Sequence, residues 1–224
     1  MMDSLEILKG NNHIDCSNTL LDLISSEINN SENYSLGLSG GSTPEFFYEL
    51  FAEKYKDYSN IYLWTVDERH VNIDDEKSNQ RMINSIFSNS NLNIIEYSYE
   101  EDPGHSAKSY TNNVFKKVDK FNAAILGVGE DGHIASLFPD TTALNAKEKG
   151  FVQNEVNILT KWRVTCTFEL LKDIEQVYLL VTGENKREII EKIGKENDLP
   201  VNELIRIRKK TVLLTDQENL LFIY

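Results

Sequence analysis

Phe121-Asn-Ala-Ala-Ile-Leu-Gly-Val-Gly-Glu-Asp-Gly-His133 is the stretch on which the reading of this chain turns. Its first half, Phe121 to Leu126, is a short and almost wholly apolar run, which predicts a strand buried on both faces. Its second half is a tight glycine-rich turn that presents Asp131 and His133 close together. The stretch continues Ile134-Ala-Ser-Leu-Phe-Pro139, in which Ile134 to Leu137 reads as helix-like. In open parallel sheets, ligands sit outside the carboxyl ends of the strands, so a charged turn that directly follows such a strand belongs to a ligand edge.

The same alternation extends along the chain in both directions. Tyr34 to Leu38, Ile61 to Val66, Asn93 to Ser98, Val177 to Val181 and Thr211 to Thr215 read as further strands, and Phe151 to Ile158 and Arg163 to Thr167 as extended segments. Between them, Leu20, Leu21, Leu23, Ile24 and Ile28 have the spacing of one helical face. Phe46, Phe47, Leu50 and Phe51 form a second such face, and Met82, Ile83, Ile86 and Phe87 a third. Ala107 to Val118 and Lys186 to Ile193 read as two more helices. The Asn/Ser-rich pieces 29–33 and 88–93 read as loops, and the first 30 residues carry no motif. Apolar strands separated by helices predict an α/β fold: a doubly wound, mostly parallel sheet with helices on both faces, Rossmann-like, in one domain over residues 1–224.

Composition narrows the class of function. A chain of 224 residues with 40% hydrophobic and 26% charged residues is an ordinary globular sequence. Its net charge of −13 argues against a nucleic-acid footprint, which needs a basic face. The one basic cluster, Arg206, Arg208, Lys209 and Lys210, reads as a solvated helix end. Cys16 and Cys166 have neither redox nor zinc spacing and read as idle thiols in a reducing compartment. With no run of 18 apolar residues and no signal-like start, the expectation is a cytoplasmic protein without membrane or nucleic-acid partners.

Three clusters directly follow predicted strands and therefore predict one shared cleft. In Ser39-Gly-Gly-Ser-Thr-Pro44, Gly40 and Gly41 allow close backbone approach to an anion, Ser42 or Thr43 can cap the next helix, and Pro44 suits its first turn. The cluster reads equally well as an ordinary strand-to-helix turn. Asp67-Glu-Arg-His70 places four ionisable residues at a strand end, where burial is costly unless they are paired or used. Arg69 can fork onto a phosphate or carboxylate, Asp67 or Glu68 can hold it or a neighbouring histidine, and His70 reads as a solvated loop residue. In Gly127 to His133 the carboxylate of Asp131 can fix the tautomer of His133 and stabilise its conjugate acid, as a general base near neutral pH requires. Metal binding by this pair lacks an evident third ligand. Arg163 and Lys186, each at an apolar run on the same edge, add positive charge for an anionic substrate.

Taken in order, these segments resemble the glucosamine-6-phosphate isomerase/6-phosphogluconolactonase family. The resemblance rests on Ser39 to Pro44, Trp64 to Val71, Ser78-Asn79 with Met82, Gly127 to Pro139, Arg163-Val-Thr165, and Gly183 with Lys186. It covers most of the chain between Leu36 and Lys186, and the Gly127 to Pro139 segment is its most specific part. Deaminases of the family typically carry Phe-Asn-Glu-Pro after Gly-His-Ile-Ala, with that glutamate in their catalytic machinery. Here the segment is Ser136-Leu-Phe-Pro139, so Phe138 stands in place of the acid. Deaminases also tend to show Asp-Glu-Tyr where this chain has Asp67-Glu-Arg69. Both differences favour the lactonase branch.

The resemblance implies hydrolysis of 6-phospho-D-glucono-1,5-lactone to 6-phosphogluconate, the second step of the oxidative pentose phosphate pathway. It implies His133 as base and Asp131 as its orienting partner, with Gly40, Gly41, Ser42, Thr43, Asp67, Arg69, Arg163 and Lys186 binding the sugar phosphate. No metal or organic cofactor is implied, and the partner is a small molecule taken by a monomer or small homo-oligomer. The chain departs from the family pattern at Val201-Asn202, after Leu199-Pro200, and at Asn219. These positions are expected to be peripheral, affecting local packing or oligomer contacts more than activity.

Overall fold

The computed structural model describes residues 4–195 and 198–217. In chain order the strands and helices are β1 (Leu5–Lys9), α1 (His13–Asn29), β2 (Tyr34–Leu38), α2 (Glu45–Tyr55), β3 (Ile61–Thr65), β4 (Asp67–Arg69), α3 (Asn79–Ile86), β5 (Asn93–Ile94) and α4 (Pro103–Lys117). There follow β6 (Ala123–Leu126), β7 (Phe151–Ile158), β8 (Thr160–Cys166), α5 (Phe168–Asp173), β9 (Gln176–Leu180), α6 (Arg187–Lys192), α7 (Pro200–Ile207) and β10 (Thr211–Thr215). Seven strands form one sheet in the order β1-β10-β9-β6-β2-β3-β5, and every neighbouring pair is parallel.

The pleat explains why these strands read as continuous apolar runs. Along β6, Ala123 and Ile125 enter the core on one face, while Ala124 and Leu126 enter the core on the other. The first core is closed by the aromatic face of α2 (Phe47, Tyr48, Phe51 and Tyr55), with Leu20 and Ile24 of α1 and Ile83 of α3. The second is closed by Tyr110 and Val114 of α4, Leu170 of α5, Ile189 of α6 and Leu204 of α7. The predicted α/β fold, doubly wound with helices on both faces, is therefore the observed one.

A small antiparallel sheet, β4-β8-β7, lies beside the main one. The segment 67–69 is thus a strand of this second sheet, pairing Asp67 with Thr165 and Arg69 with Arg163. Other expectations are corrected. Ile134 and Leu137 close a two-stranded bridge around Ala135 at φ 48°, so that segment is a turn and not a helix. The strand expected over 93–98 is only Asn93–Ile94. Arg208 is buried, not solvated: its guanidinium donates to the carbonyls of Leu171 and Lys172 in the last turn of α5 and of Glu175 just after it. Both cysteines are buried and unbonded to each other.

Sheet order fixes where a ligand can enter. From β2 the chain winds outward through β3 to β5, whereas from β6 it winds the other way through β9 to β10. The switch point lies between β2 and β6, and the two glycine-rich loops emerge there side by side.

Candidate active site

The loop after β2 is shaped by what packs beneath it. Gly41 sits at φ +91°, where a side chain would be strained. Gly40 lies so close to Asn79 that an added β-carbon would overlap that amide. The carbonyl of Ser39 accepts the Tyr48 hydroxyl at 2.8 Å, tying the loop to α2. The expected side-chain cap is absent: Pro44 is the N-cap residue of α2 and no side chain bonds there, so neither Ser42 nor Thr43 serves as the cap.

The turn after β6 closes on itself through Gly129 N donating to His133 O at 2.9 Å and Gly132 N to Gly129 O at 3.0 Å. Gly132 adopts φ +79°, and the imidazole of His133 covers Gly129 where a β-carbon would otherwise stand. Asp131 Oδ1 lies 2.5 Å from His133 Nδ1. An ionised carboxylate only accepts, so Nδ1 carries the hydrogen and Nε2 is left as the basic nitrogen. Burial pushes the Asp131 carboxyl up, but the bond and charge of His133 outweigh it and hold it below its ordinary value. The His133 ring stacks on Phe138 with centroids 4.1 Å apart and planes 26° apart.

Behind this turn stands the start of α7. Val201 N donates to Gly132 O at 3.1 Å, and the Leu199 side chain packs against Gly132. The start of α7 therefore supports the histidine turn directly, through the backbone amide of Val201 and the side chain of Leu199. Asn219 lies outside the described residues.

The cations come from three separate elements. Arg69 donates from Nη1 to Lys77 O at 2.9 Å, and Arg163 from Nη2 to Ile158 O at 2.7 Å. Each keeps a buried Nε without a partner, as does the buried hydroxyl of Ser39. Burial pushes the Arg163 guanidinium down from its usual value, and the nearby Asp67 carboxylate opposes that. Lys186 reaches over from the loop after β9 and donates to Val128 O at 2.8 Å. Asp67 is buried and accepts the Ser136 hydroxyl at 2.5 Å. Glu68 turns away to the start of α3. His70 is half-buried, its Nδ1 2.7 Å from the Tyr97 hydroxyl and its ring against Tyr99, which corrects the solvated-loop expectation.

A cleft of about 460 Å³ is lined by Gly40, Gly41, Ser42, Thr43, Asp67, Arg69, His133, Arg163 and Lys186 together. Of the site residues that the resemblance implied only Asp131 is missing from this lining, and of the Asp67 to His70 cluster Glu68 and His70 also lie outside it. Asp131 stands behind His133, on a neighbouring hollow of about 670 Å³. The cleft also takes in Asn79, Ser136 and Phe138, which belong to the motif segments, and it adds Asn185 and the hairpin tip Ile158-Leu159, which had no assigned role at the site. Among the described residues no three His, Cys, Asp or Glu side chains gather as a metal site, and no helix is long and apolar enough to cross a membrane.

Fold and cleft together define the class: an α/β enzyme with a cleft straddling the switch point of a parallel sheet, where a carboxylate-bound histidine is set among cations. The chain belongs to the family described as glucosamine-6-phosphate isomerases/6-phosphogluconolactonase, whose model matches residues 13–213. It is 32% identical over 197 residues to the 6-phosphogluconolactonase of Chlamydia pneumoniae, covering 83% of this chain and 76% of that protein. The solved 6-phosphogluconolactonase of Thermotoga maritima superposes with a TM-score of 0.82 at 26% identity, covering 95% of this chain and 98% of the other. A solved monomeric glucosamine-6-phosphate deaminase gives a TM-score of 0.81 at 18% identity, covering 94% and 96%. The fold is thus common to both activities, and only the site can separate them.

Proposed function

We propose that this chain hydrolyses 6-phospho-D-glucono-1,5-lactone to 6-phosphogluconate, with His133 as general base. The observation that carries the choice is Phe138 stacked on His133; by the motif resemblance this apolar ring stands where the deaminases carry their glutamate. The relatives named as 6-phosphogluconolactonases support the same branch.

In this reading His133 Nε2 takes a proton from water as the water oxygen bonds to the lactone carbonyl carbon. The bond from that carbon to the ring oxygen then breaks, and the imidazolium returns the proton to the departing oxygen. Asp131 holds the ring in the required tautomer and stabilises its charged form. The Gly40 to Thr43 loop, with Arg163 and Lys186, takes the phosphate, and Arg69 holds or polarises the substrate. Asp67 completes the binding set. The chemistry asks for no metal or organic cofactor.

Parallel assays of the purified protein test the assignment. Hydrolysis of the lactone above its spontaneous rate, unaffected by chelator and without ammonia release from glucosamine 6-phosphate, is the expected result. Ammonia release without lactone hydrolysis would overturn it.

A further inference from the structure

Glu68 is the most buried carboxylate beside the cleft, with 1% of its surface exposed, and it forms no ion pair among the described residues. Its two oxygens instead accept four donors. These are the backbone amides of Arg69 at 2.7 Å, Asn79 at 2.7 Å and Gln80 at 2.6 Å, and the Ser78 hydroxyl at 3.1 Å. Three of the four belong to the N-terminus of α3 and its cap, where free amides favour an anion. The fourth belongs to a cleft cation.

Asn79 carries the constraint onward. Its Nδ2 donates to Asp67 O at 2.9 Å, and its buried Oδ1 has no partner. The same amide fills the space under Gly40 that excludes a β-carbon. One carboxylate therefore sets the backbone of Arg69, the start of α3, and through Asn79 both Asp67 and the glycine loop. These groups come from separate elements, and no other described side chain joins all of them.

We infer that Glu68 is a positioning residue of the substrate site, acting through Asn79 and Arg69 to hold the glycine loop and the cleft cations in register for an anionic substrate. It touches no substrate itself, since its oxygens face α3. This inference rests on the proposed activity for its kinetic readout, but not for its binding readout.

Two variants test it, Glu68→Gln and Asn79→Ala. The carboxamide of Glu68→Gln is of equal size, yet it turns an NH2 toward backbone amides that need an acceptor. The expected result in both is a KM for the lactone raised about tenfold or more, with kcat within about threefold of the parent and a cooperative thermal melt retained. A lowered kcat at unchanged KM, or parental kinetics in either folded variant, would overturn the inference. Should Glu68→Gln fail to fold, Asn79→Ala alone decides between these outcomes. Should the parent protein hydrolyse no lactone, the proposed activity fails separately. Inorganic phosphate binding, followed by calorimetry, then carries the test: weaker binding by the variants supports the positioning role, and equal binding overturns it.

Discussion

His133 gives one ring nitrogen to Asp131, which leaves the other for the proposed proton transfer, and that division depends on the partner being an acceptor only. Asp131→Asn offers an amide that can also donate, so the imidazole no longer has one enforced tautomer. We expect kcat for lactone hydrolysis to fall by about 10²-fold or more with KM little changed, by analogy with other carboxylate-oriented histidines. Steady-state kinetics check this, and a variant with parental kcat would contradict it. The sign of the Asp131 shift matters here. A carboxyl held below its ordinary value of 3.8 contributes stability that is present above that pH and lost as pH falls through its folded value. Loss of activity near neutral pH therefore does not come from protonating Asp131.

At the scale of elements, the junction of β4, α3 and the glycine loop yields two further expectations. Gly40→Ala places a β-carbon against Asn79, which is held by its bond to Asp67 O and cannot swing aside freely. The loop must shift, so KM for the lactone should rise about tenfold or more while the fold survives. An unchanged KM would show that the loop accommodates the methyl group. Burial pushes the Glu68 carboxyl up to about 7, against the pull of the amides of Gln80, Asn79 and Arg69. A folded value above the ordinary 4.5 means that stability from this group is present below pH 4.5 and is lost as pH rises toward 7. The change amounts to about 3 kcal/mol. Urea unfolding of the parent and Glu68→Gln across pH 5 to 8 reads this directly: their difference should drift with pH, and a constant difference would contradict it.

These same elements show how far the sequence alone could be read. The doubly wound sheet was legible because β6 is apolar throughout and β2, β3, β9 and β10 carry apolar side chains to both faces with only a few small or terminal polar residues, as strands covered on both faces do. The cleft was legible because the charged and glycine-rich clusters follow those strands directly. What escaped was set by long-range contacts. Leu5–Lys9 is an edge strand with little apolar pattern, fixed by pairing with β10. The turn at Ile134 to Leu137 has helix-forming residues, but Ala135 takes a left-handed conformation that no local preference announces. Asn79 and Leu199 act on the site only through segments distant in sequence.

Over the whole molecule, an acidic chain of net charge −13 reserves cations for specific duties. Arg69, Arg163 and Lys186 line the cleft, while Arg208, the C-cap residue of α7, binds carbonyls at the end of α5. Burial pushes its guanidinium down to about 10, still charged at neutral pH. Arg208→Ala strands those carbonyls away from water and should cost about 3 kcal/mol in urea unfolding, without altering KM. A loss under about 0.5 kcal/mol, as for a solvated surface residue, would contradict the structural role. The proposed hydrolysis depends above all on His133, and the decisive quantity is kcat for 6-phosphogluconolactone hydrolysis, above the spontaneous rate, in the parent and in His133→Ala. We predict a folded variant with turnover reduced by about 10²- to 10⁴-fold. A folded His133→Ala that retained near-parental turnover would contradict the assignment of the base.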